Sequence, residues 1–278
     1  METISHLRII NQLSLLEKHY LKSLSTDSSF ADEYLKIKDI VSKLNITDGF
    51  VVDMAASDGV SQSCTLEFFK DSTWSGLALE MDPDKFAQLS FIYAHFPSAK
   101  LARGRITPHN VVSTLLGFEV PNDFSLLNLD IDSYDLYVIR EILKGGFRPK
   151  IISMEINEKI PPSVYFTVEY DEKHYWKGDH FYGCSLRAAS ETVKPFGYIL
   201  ESLQYNNAMF IRSDLASHLF SDTSVEIAYE SGYKNKSDRK KLFPWNADVD
   251  CLLEFSKEDS IKFVNNFFSK YDGKYTIK

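Results

Sequence analysis

Basic charge is in short supply in this 278-residue chain: 31 Lys and Arg stand against 39 Asp and Glu, a formal net charge of −8. A duplex binder needs a basic face to neutralise phosphates, so nucleic acid is excluded as the main partner. The single basic cluster, Lys234, Lys236, Arg239, Lys240 and Lys241, stands in a polar stretch and reads as a solvated loop. Cysteine is scarcer still. Cys64, Cys184 and Cys251 lie far apart, with no CxxC spacing and no even-numbered framework, so neither a disulfide scaffold nor a zinc site is expected. No apolar run reaches the roughly 18 residues that a membrane-spanning helix needs. Residues 1–20 lack a signal-peptide core, so no membrane span is expected and a cytoplasmic, reducing setting is the default. Gly-Lys-Ser/Thr is also missing, which removes the P-loop reading.

Hydrophobic residues make up 44% of the chain, enough for a sizeable core, and aromatics 14%. The length suits one large α/β domain with additions, or two small domains. Helical periodicity runs over 3–24 (Leu7, Ile10, Leu13, Leu16) and 30–44 (Tyr34, Ile37, Ile40, Leu44), with a polar joint at 25–29. Residues 1–47 thus read as a helical N-terminal extension that packs on, or caps, the remainder of the chain. From residue 50 the pattern alternates. Strands are expected at 50–54, 75–80, 100–103, 124–130 and 150–156, with helices starting at 61–70 and at 83–95 and 134–144. A helix at 186–196 and strands at 198–204 and 208–211 close the pattern. Such alternation predicts an α/β fold, a mostly parallel sheet with helices on both faces. The last two strands, joined by Tyr205-Asn206-Asn207, form an antiparallel hairpin, because a short turn joins only antiparallel neighbours. A core over 48–213 therefore carries a lid-like insertion at 158–183. Residues 214–278 form a C-terminal extension with a helix at 257–270.

Ligands of open α/β sheets bind outside the carboxyl ends of the strands. The first strand runs Val-Val-Asp-Met-Ala-Ala-Ser-Asp-Gly over 51–59, so a buried strand ends in a tight turn around Gly59. Asp53 and Asp58 flank that turn and would repel a pyrophosphate; Asp58 also reads as a helix cap. Glu80 ends the second strand, where one carboxylate can accept from both hydroxyls of a ribose; a solvated strand end is the plainer alternative. Asp82 before Pro83 looks like a helix cap. Asp130 and Asp132 follow the 124–130 strand at i and i+2, and Glu155 and Asn157 do the same after the next. If those strands are neighbours, four oxygen ligands converge, a set that suits Mg²⁺, Ca²⁺ or Mn²⁺. Without a metal, the same carboxylates orient or deprotonate a hydroxyl. His180, in a loop entering a helix, reads either as a general base near neutral pH or as a packed residue. Tyr165, Phe166, Tyr170, Tyr175 and Trp176 precede it, a density that suits a ring platform or the anchor of a lid.

The runs VVDMAASDGVSQS, GLALEMDP, FSLLNLDIDSYDLYVI, RPKIISMEIN and GCSLRAASETVKPFGYILE resemble, in order and spacing, the core of class I S-adenosylmethionine (SAM) methyltransferases. The likeness is to the FkbM-like branch and related bacterial enzymes that methylate sugars and secondary metabolites. It covers roughly residues 48–212. The resemblance implies a Rossmann-like sheet with an antiparallel terminal hairpin. It implies a SAM methionine-end site at Asp53, Ala55 and Ser57, with Asp58 and Gly59 in the same turn. Glu80 would meet the ribose, Arg105 in the segment 103–106 would lie by the adenine, and Asp130 would open the catalytic edge. In metal-dependent relatives acids at this edge bind Mg²⁺, a role open to Asp130, Asp132, Glu155 and Asn157. The sequence departs from the family where Ala55 and Ser57 replace glycines of Asp/Glu-x-Gly-x-Gly-x-Gly. It departs again where Asp-x-Asp-Ser replaces a frequent Asp-x-Glu-Gly after the fourth strand. An acidic turn suits SAM, which carries a sulfonium and an ammonium and no phosphate. The expected activity is methyl transfer to a hydroxyl of a small polar substrate, such as a sugar or a glycan precursor. His180 or the Asp130/Asp132 edge would take the proton, and S-adenosylhomocysteine (SAH) would leave. A non-catalytic binding or scaffold protein and an NAD-type oxidoreductase stay open as other classes, and so does a homo-oligomer.

Overall fold

A computed structural model of the chain describes residues 29–278. The helix expected at 3–24, with Leu7, Ile10, Leu13 and Leu16, lies outside the described residues. Helix α1 (Glu33–Lys43) leads into the alternating region. Next are β1 (Gly49–Met54), α2 (Leu66–Lys70), β2 (Trp74–Glu80), α3 (Pro83–Tyr93), β3 (Ala99–Arg103) and α4 (Val111–Gly117). Then come β4 (Leu126–Leu129), α5 (Asp135–Lys144), β5 (Ile151–Glu155), β6 (Phe166–Val168), α6 (Leu186–Val193), β7 (Tyr198–Gln204) and β8 (Asn207–Arg212). The large sheet has the order β3-β2-β1-β4-β5-β8-β7. Neighbours are parallel from β3 to β5, and β8 runs antiparallel to both β5 and β7. This is the Rossmann-like, mostly parallel sheet with an antiparallel terminal hairpin that the sequence predicts.

A sheet covered by helices on both faces needs apolar side chains on both. Successive residues of a strand point to opposite faces, and the register sorts them into two rows. Val52, Leu127, Ile152 and Phe210 align across β1, β4, β5 and β8 and join the core that α5 and α6 cover. Val51, Leu126, Ile151 and Ile211 align on the other face, in the core that α1 and α3 cover. One step toward the carboxyl ends, this second face turns polar: Asp53, Asn128 and Ser153 align there. That row becomes the floor of the site.

The structure shifts several expected elements. The helix expected over 61–70 begins only at Leu66, because Ser63 Oγ accepts from Leu66 N at 3.1 Å and residues before it form turns. Helix α4 was not expected; its buried contacts are the short pair Val111 and Leu115, too brief a pattern to stand out. The insertion and the C-terminal extension pack together. Strand β6 pairs antiparallel with β9 (Tyr275–Ile277), which comes after α7 (Lys257–Phe267). Ile160, Phe166, Phe181, Val264 and Phe268 share one apolar cluster, and Phe181 stacks on Tyr271 with ring centroids 3.9 Å apart. No helix among the described residues is long and apolar enough to cross a membrane.

Candidate functional site

A cavity of about 380 Å³ opens at the carboxyl ends of β1, β2 and β4. Asp53, Ala55, Ser57, Glu80, Arg105, Asp130 and Asp132 line it. Asp58, Gly59, Glu155, Asn157 and His180 do not line it, although Glu155 stands directly behind Asp130 and Asp132.

The acidic turn is left-handed at alternate residues: Ala55 has φ 70°, Ser57 φ 55° and Gly59 φ 80°. These are the positions where the family motif has glycine, and an L-residue there costs roughly 1–2 kcal/mol. The turn is held against that strain. Ala56 N donates to Leu79 O at 2.8 Å, and Ser57 N donates to Glu80 Oε2 at 2.8 Å. Glu80 Oε1 accepts from Asp82 N at 2.7 Å, so the ribose candidate also locks two loops. Asp53 is buried, accepting from Thr65 Oγ1 at 2.5 Å and from Asn128 Nδ2 at 2.9 Å. Burial holds its carboxyl above the usual range, against those two hydrogen bonds. Ala55→Gly is expected to raise unfolding stability by about 1 kcal/mol, since glycine adopts positive φ freely. A thermal melt checks this, and an unchanged or lower Tm refutes the strain.

Two members of the turn work within the protein. A Cβ on Gly59 would come within 2.6 Å of Leu89 Cδ1 and 2.7 Å of Tyr93 Cε1, so the glycine lets α3 approach rather than a ligand. Asp58 Oδ1 accepts from Val60 N and Ser61 N, and its Oδ2 from Ser61 Oγ. It closes a turn and caps no helix, contrary to the helix-cap reading, because the next helix begins only at Leu66.

The carboxylate edge forms as the spacing suggested, because β4 and β5 are neighbours. Asp130, Asp132 and Glu155 each place an oxygen within 4.8 Å of the others. Asp135 builds this edge: its carboxylate accepts from Ile131 N at 2.8 Å and Ser133 N at 3.0 Å, gripping the turn that carries Asp132 at φ 53°. Burial comes first among the causes that raise all three carboxyls; repulsion from Asp132 and Asp135 adds to it at Asp130, and repulsion from Asp130, Asp132, Asp135 and Glu158 at Glu155. Lys85 and Lys159 offset part of this at Asp132. Asn206 Nδ2 donates to Glu155 Oε1 at 3.1 Å, whereas Glu155 Oε2 is buried with no hydrogen-bond partner. Asn157 turns its amide nitrogen elsewhere, donating to His180 O at 2.9 Å and Tyr182 O at 3.0 Å; its Oδ1 has no partner.

The third strand's candidate, Arg105, reaches across the mouth. Its Nε donates to Tyr134 Oη at 3.0 Å, and its terminal nitrogens donate to the carbonyls of Glu172 and His174. It thereby ties the β3 side of the cavity to the loop bearing Tyr175 and Trp176. Of the five aromatics before His180, these two line the cavity, 58% and 43% exposed. Phe166 is core, and Tyr170 packs edge-on against Tyr134. His180 lies off the cavity: its Nε2 is 3.1 Å from Asp248 Oδ1, and its ring rests on Phe267. Burial lowers its pKa, which favours the uncharged ring.

Glu33 was missed by the sequence reading. It is buried, lines the cavity and accepts from Ser153 Oγ at 3.0 Å. Burial pushes its carboxyl up to about 7. An acid opening a helix has a sufficient local explanation in the helix dipole, so nothing in sequence marks it out.

No protein-family model and no curated protein matches the chain. Solved structures that resemble it include the N-terminal domain of EvdMO1 in the presence of SAH and D-fucose, at 9% identity over 65% of this chain and 82% of that one, with a TM-score of 0.42. A magnesium protoporphyrin IX methyltransferase from Synechocystis PCC 6803 with bound SAH matches at 8% identity, over 65% and 83%, with a TM-score of 0.40. A putative O-methyltransferase from Klebsiella pneumoniae matches at 13% identity, over 71% and 86%, with a TM-score of 0.42. Likeness at this level transfers no property, and the fold assignment rests on the strand order itself.

Proposed function

We propose that the chain is a SAM-dependent methyltransferase acting on a hydroxyl of a small polar acceptor, such as a sugar or a glycan precursor. The observation that carries this reading is the charge of the strand-end cavity. Six carboxyl groups, of Glu33, Asp53, Glu80, Asp82, Asp130 and Asp132, line it against the cations of Lys85 and Arg105. Such a wall repels the pyrophosphate of a dinucleotide and attracts a sulfonium or an ammonium. The volume lies in the usual range for small-molecule sites, about 300–1,000 Å³.

When bound, SAM supplies a methyl group on a sulfonium; the bond to the acceptor oxygen forms as the carbon–sulfur bond breaks, leaving a methyl ether and SAH. The protein aligns the reactants. Ser57 and the fixed turn face the methionine end, together with Asp53. Glu80 keeps a free acceptor site on each oxygen for the ribose, since a carboxylate has about four and two are in use. Arg105 and the loop it holds close the adenine side. Asp130 takes the acceptor's proton. Burial and its acidic neighbours raise its carboxyl, which makes the ionised form a stronger proton acceptor, and it lines the cavity where His180 does not.

The edge also fits a hard divalent cation. Oxygens on opposite sides of a Ca²⁺ stand roughly 4.6–5.2 Å apart, which spans the 4.8 Å limit of the three carboxylates. Asp130, Asp132 and Glu155 would hold the ion, the last through its unpartnered oxygen. An ion held there would lower the pKa of a bound hydroxyl.

Titration calorimetry of the full chain tests the reading. Saturable binding of SAM and SAH is expected, with none of NAD; absence of SAM and SAH binding rejects it.

A further inference from the structure

We propose that Glu33 binds an ammonium group, the one at the amino-acid end of SAM, and shares it with Asp53. This rests on the methyltransferase reading and adds to it a residue from α1, outside the segment that resembles the family.

Position comes first. Helix α1 packs Ile37, Ile40 and Val41 into the core beneath the second sheet face. Its first residue therefore meets the place where that face turns from Val51, Leu126 and Ile151 to Asp53, Asn128 and Ser153. Ser153 Oγ donates to Glu33 Oε1 at 3.0 Å and aims the carboxyl. The chain just before it is anchored too, since Gln204 Nε2 donates to Ala31 O at 2.7 Å. Glu33 is thus a fixed part of the cavity wall, 6% exposed.

Charge comes second. Burial acts most strongly on Glu33, followed by Ser153, Cys64 and Asp53. Thr65, Asn128 and Glu80 act on Asp53. None is a cation. Burial raises both carboxyls, and a cation bound between them would stabilise their ionised forms. The turn at Ala55 and Ser57, where the methionine end is placed, opens beside Asp53. A primary ammonium has three donors, so it can meet Asp53, Glu33 and one further acceptor.

An amine on the methyl acceptor would offer the same chemistry, and two ligands separate the sources. SAH carries the ammonium; 5′-methylthioadenosine keeps the adenosine and the thioether and lacks the amino-acid end. Glu33→Gln preserves the shape and the Ser153 hydrogen bond. It is expected to weaken SAH binding roughly tenfold to a hundredfold, the range for a hydrogen bond to a charged group, and to leave 5′-methylthioadenosine unchanged. Unchanged SAH binding overturns the proposal and points to the acceptor or to a structural role. An equal loss for both ligands overturns it as well, because the effect is then on the fold of the site. If wild-type protein binds neither ligand, the methyltransferase reading itself falls. Ser153→Ala, which frees the carboxyl without removing it, is expected to give a smaller loss confined to SAH.

Discussion

Asp130→Asn combined with Glu155→Gln is expected to lower methyl transfer about 10²–10⁴-fold, the share a positioned general base supplies. SAH binding is expected to persist. The reason lies in the edge. Asp130 and Asp132 follow β4, Glu155 ends β5, and their oxygens lie within 4.8 Å of one another. Both substitutions keep shape and remove charge, so the proton acceptor and two oxygens of the cation site disappear together. Stability should not suffer. Burial and repulsion already raise Asp130 and Glu155, so neutral amides relieve a conflict. A scaffold that kept the fold and lost the chemistry predicts no change in any assay of its function. Loss of turnover with an unchanged or higher Tm supports an enzyme; full turnover in the double variant removes the edge from the chemistry. Excess EDTA then separates the two ways the edge can work. Turnover that collapses and returns with Mg²⁺ indicates an ion, and turnover that survives leaves Asp130 as a direct base.

Glu158→Ala is expected to destabilise the fold by about 3–5 kcal/mol, as breaking a buried ion pair does. Glu158 has no exposed surface and Lys159 almost none, with Lys159 Nζ 3.1 Å from Glu158 Oε1. Asn246 Nδ2 donates to the same oxygen at 2.7 Å, and Tyr182 Oη donates to Oε2 at 2.8 Å. Truncation leaves a buried ammonium without its counter-charge and the Tyr182 phenol without its acceptor, although Lys159 Nζ keeps Tyr182 Oη at 2.7 Å and Asn246 Nδ2 keeps Tyr233 Oη at 2.9 Å. The pH dependence has a definite sign. Burial alone would raise this carboxyl, but Lys159, Asn246 and Tyr182 outweigh it and hold the group below its ordinary value. A depressed carboxyl adds stability that is present above its unfolded pKa and lost as pH falls through its folded one. Acid below the normal carboxylate range should therefore unfold the wild type by protonating Glu158, and the variant should show a flatter profile there. Urea unfolding at neutral and acidic pH checks both. A loss below about 1 kcal/mol, the scale of an exposed pair, would refute the role. The network also touches function: Tyr182 packs 6.0 Å from Trp176 at the cavity, and Lys159 acts on Asp132.

Part of this was legible without coordinates. The turn at 53–59, Glu80, the Asp82 cap and the carboxylate edge all depend on contiguous residues. A strand's two-residue period tells which side chains share a face, and turn chemistry is local. The same local view places Gly59 in a tight turn, as its φ of 80° bears out, but gives no sign that its missing side chain admits Leu89 and Tyr93. It left Asp58 open between cap and ligand. It could not rank five aromatics in one insertion, two of which reach the cavity.

By itself, then, the sequence determined the alternation of strands and helices, the parallel sheet with its closing hairpin, and the acids at the strand ends. Each arises from periodicity and spacing within a few residues. Only the tertiary structure decided which of those acids share a cavity. It drew Glu33 to Ser153, 120 residues away in sequence. It paired β6 with β9 and set His180 against Asp248 instead of the site. Such contacts arise from burying whichever surfaces remain once the sheet has formed, and that choice depends on the whole core. The pattern of one segment carries no record of it.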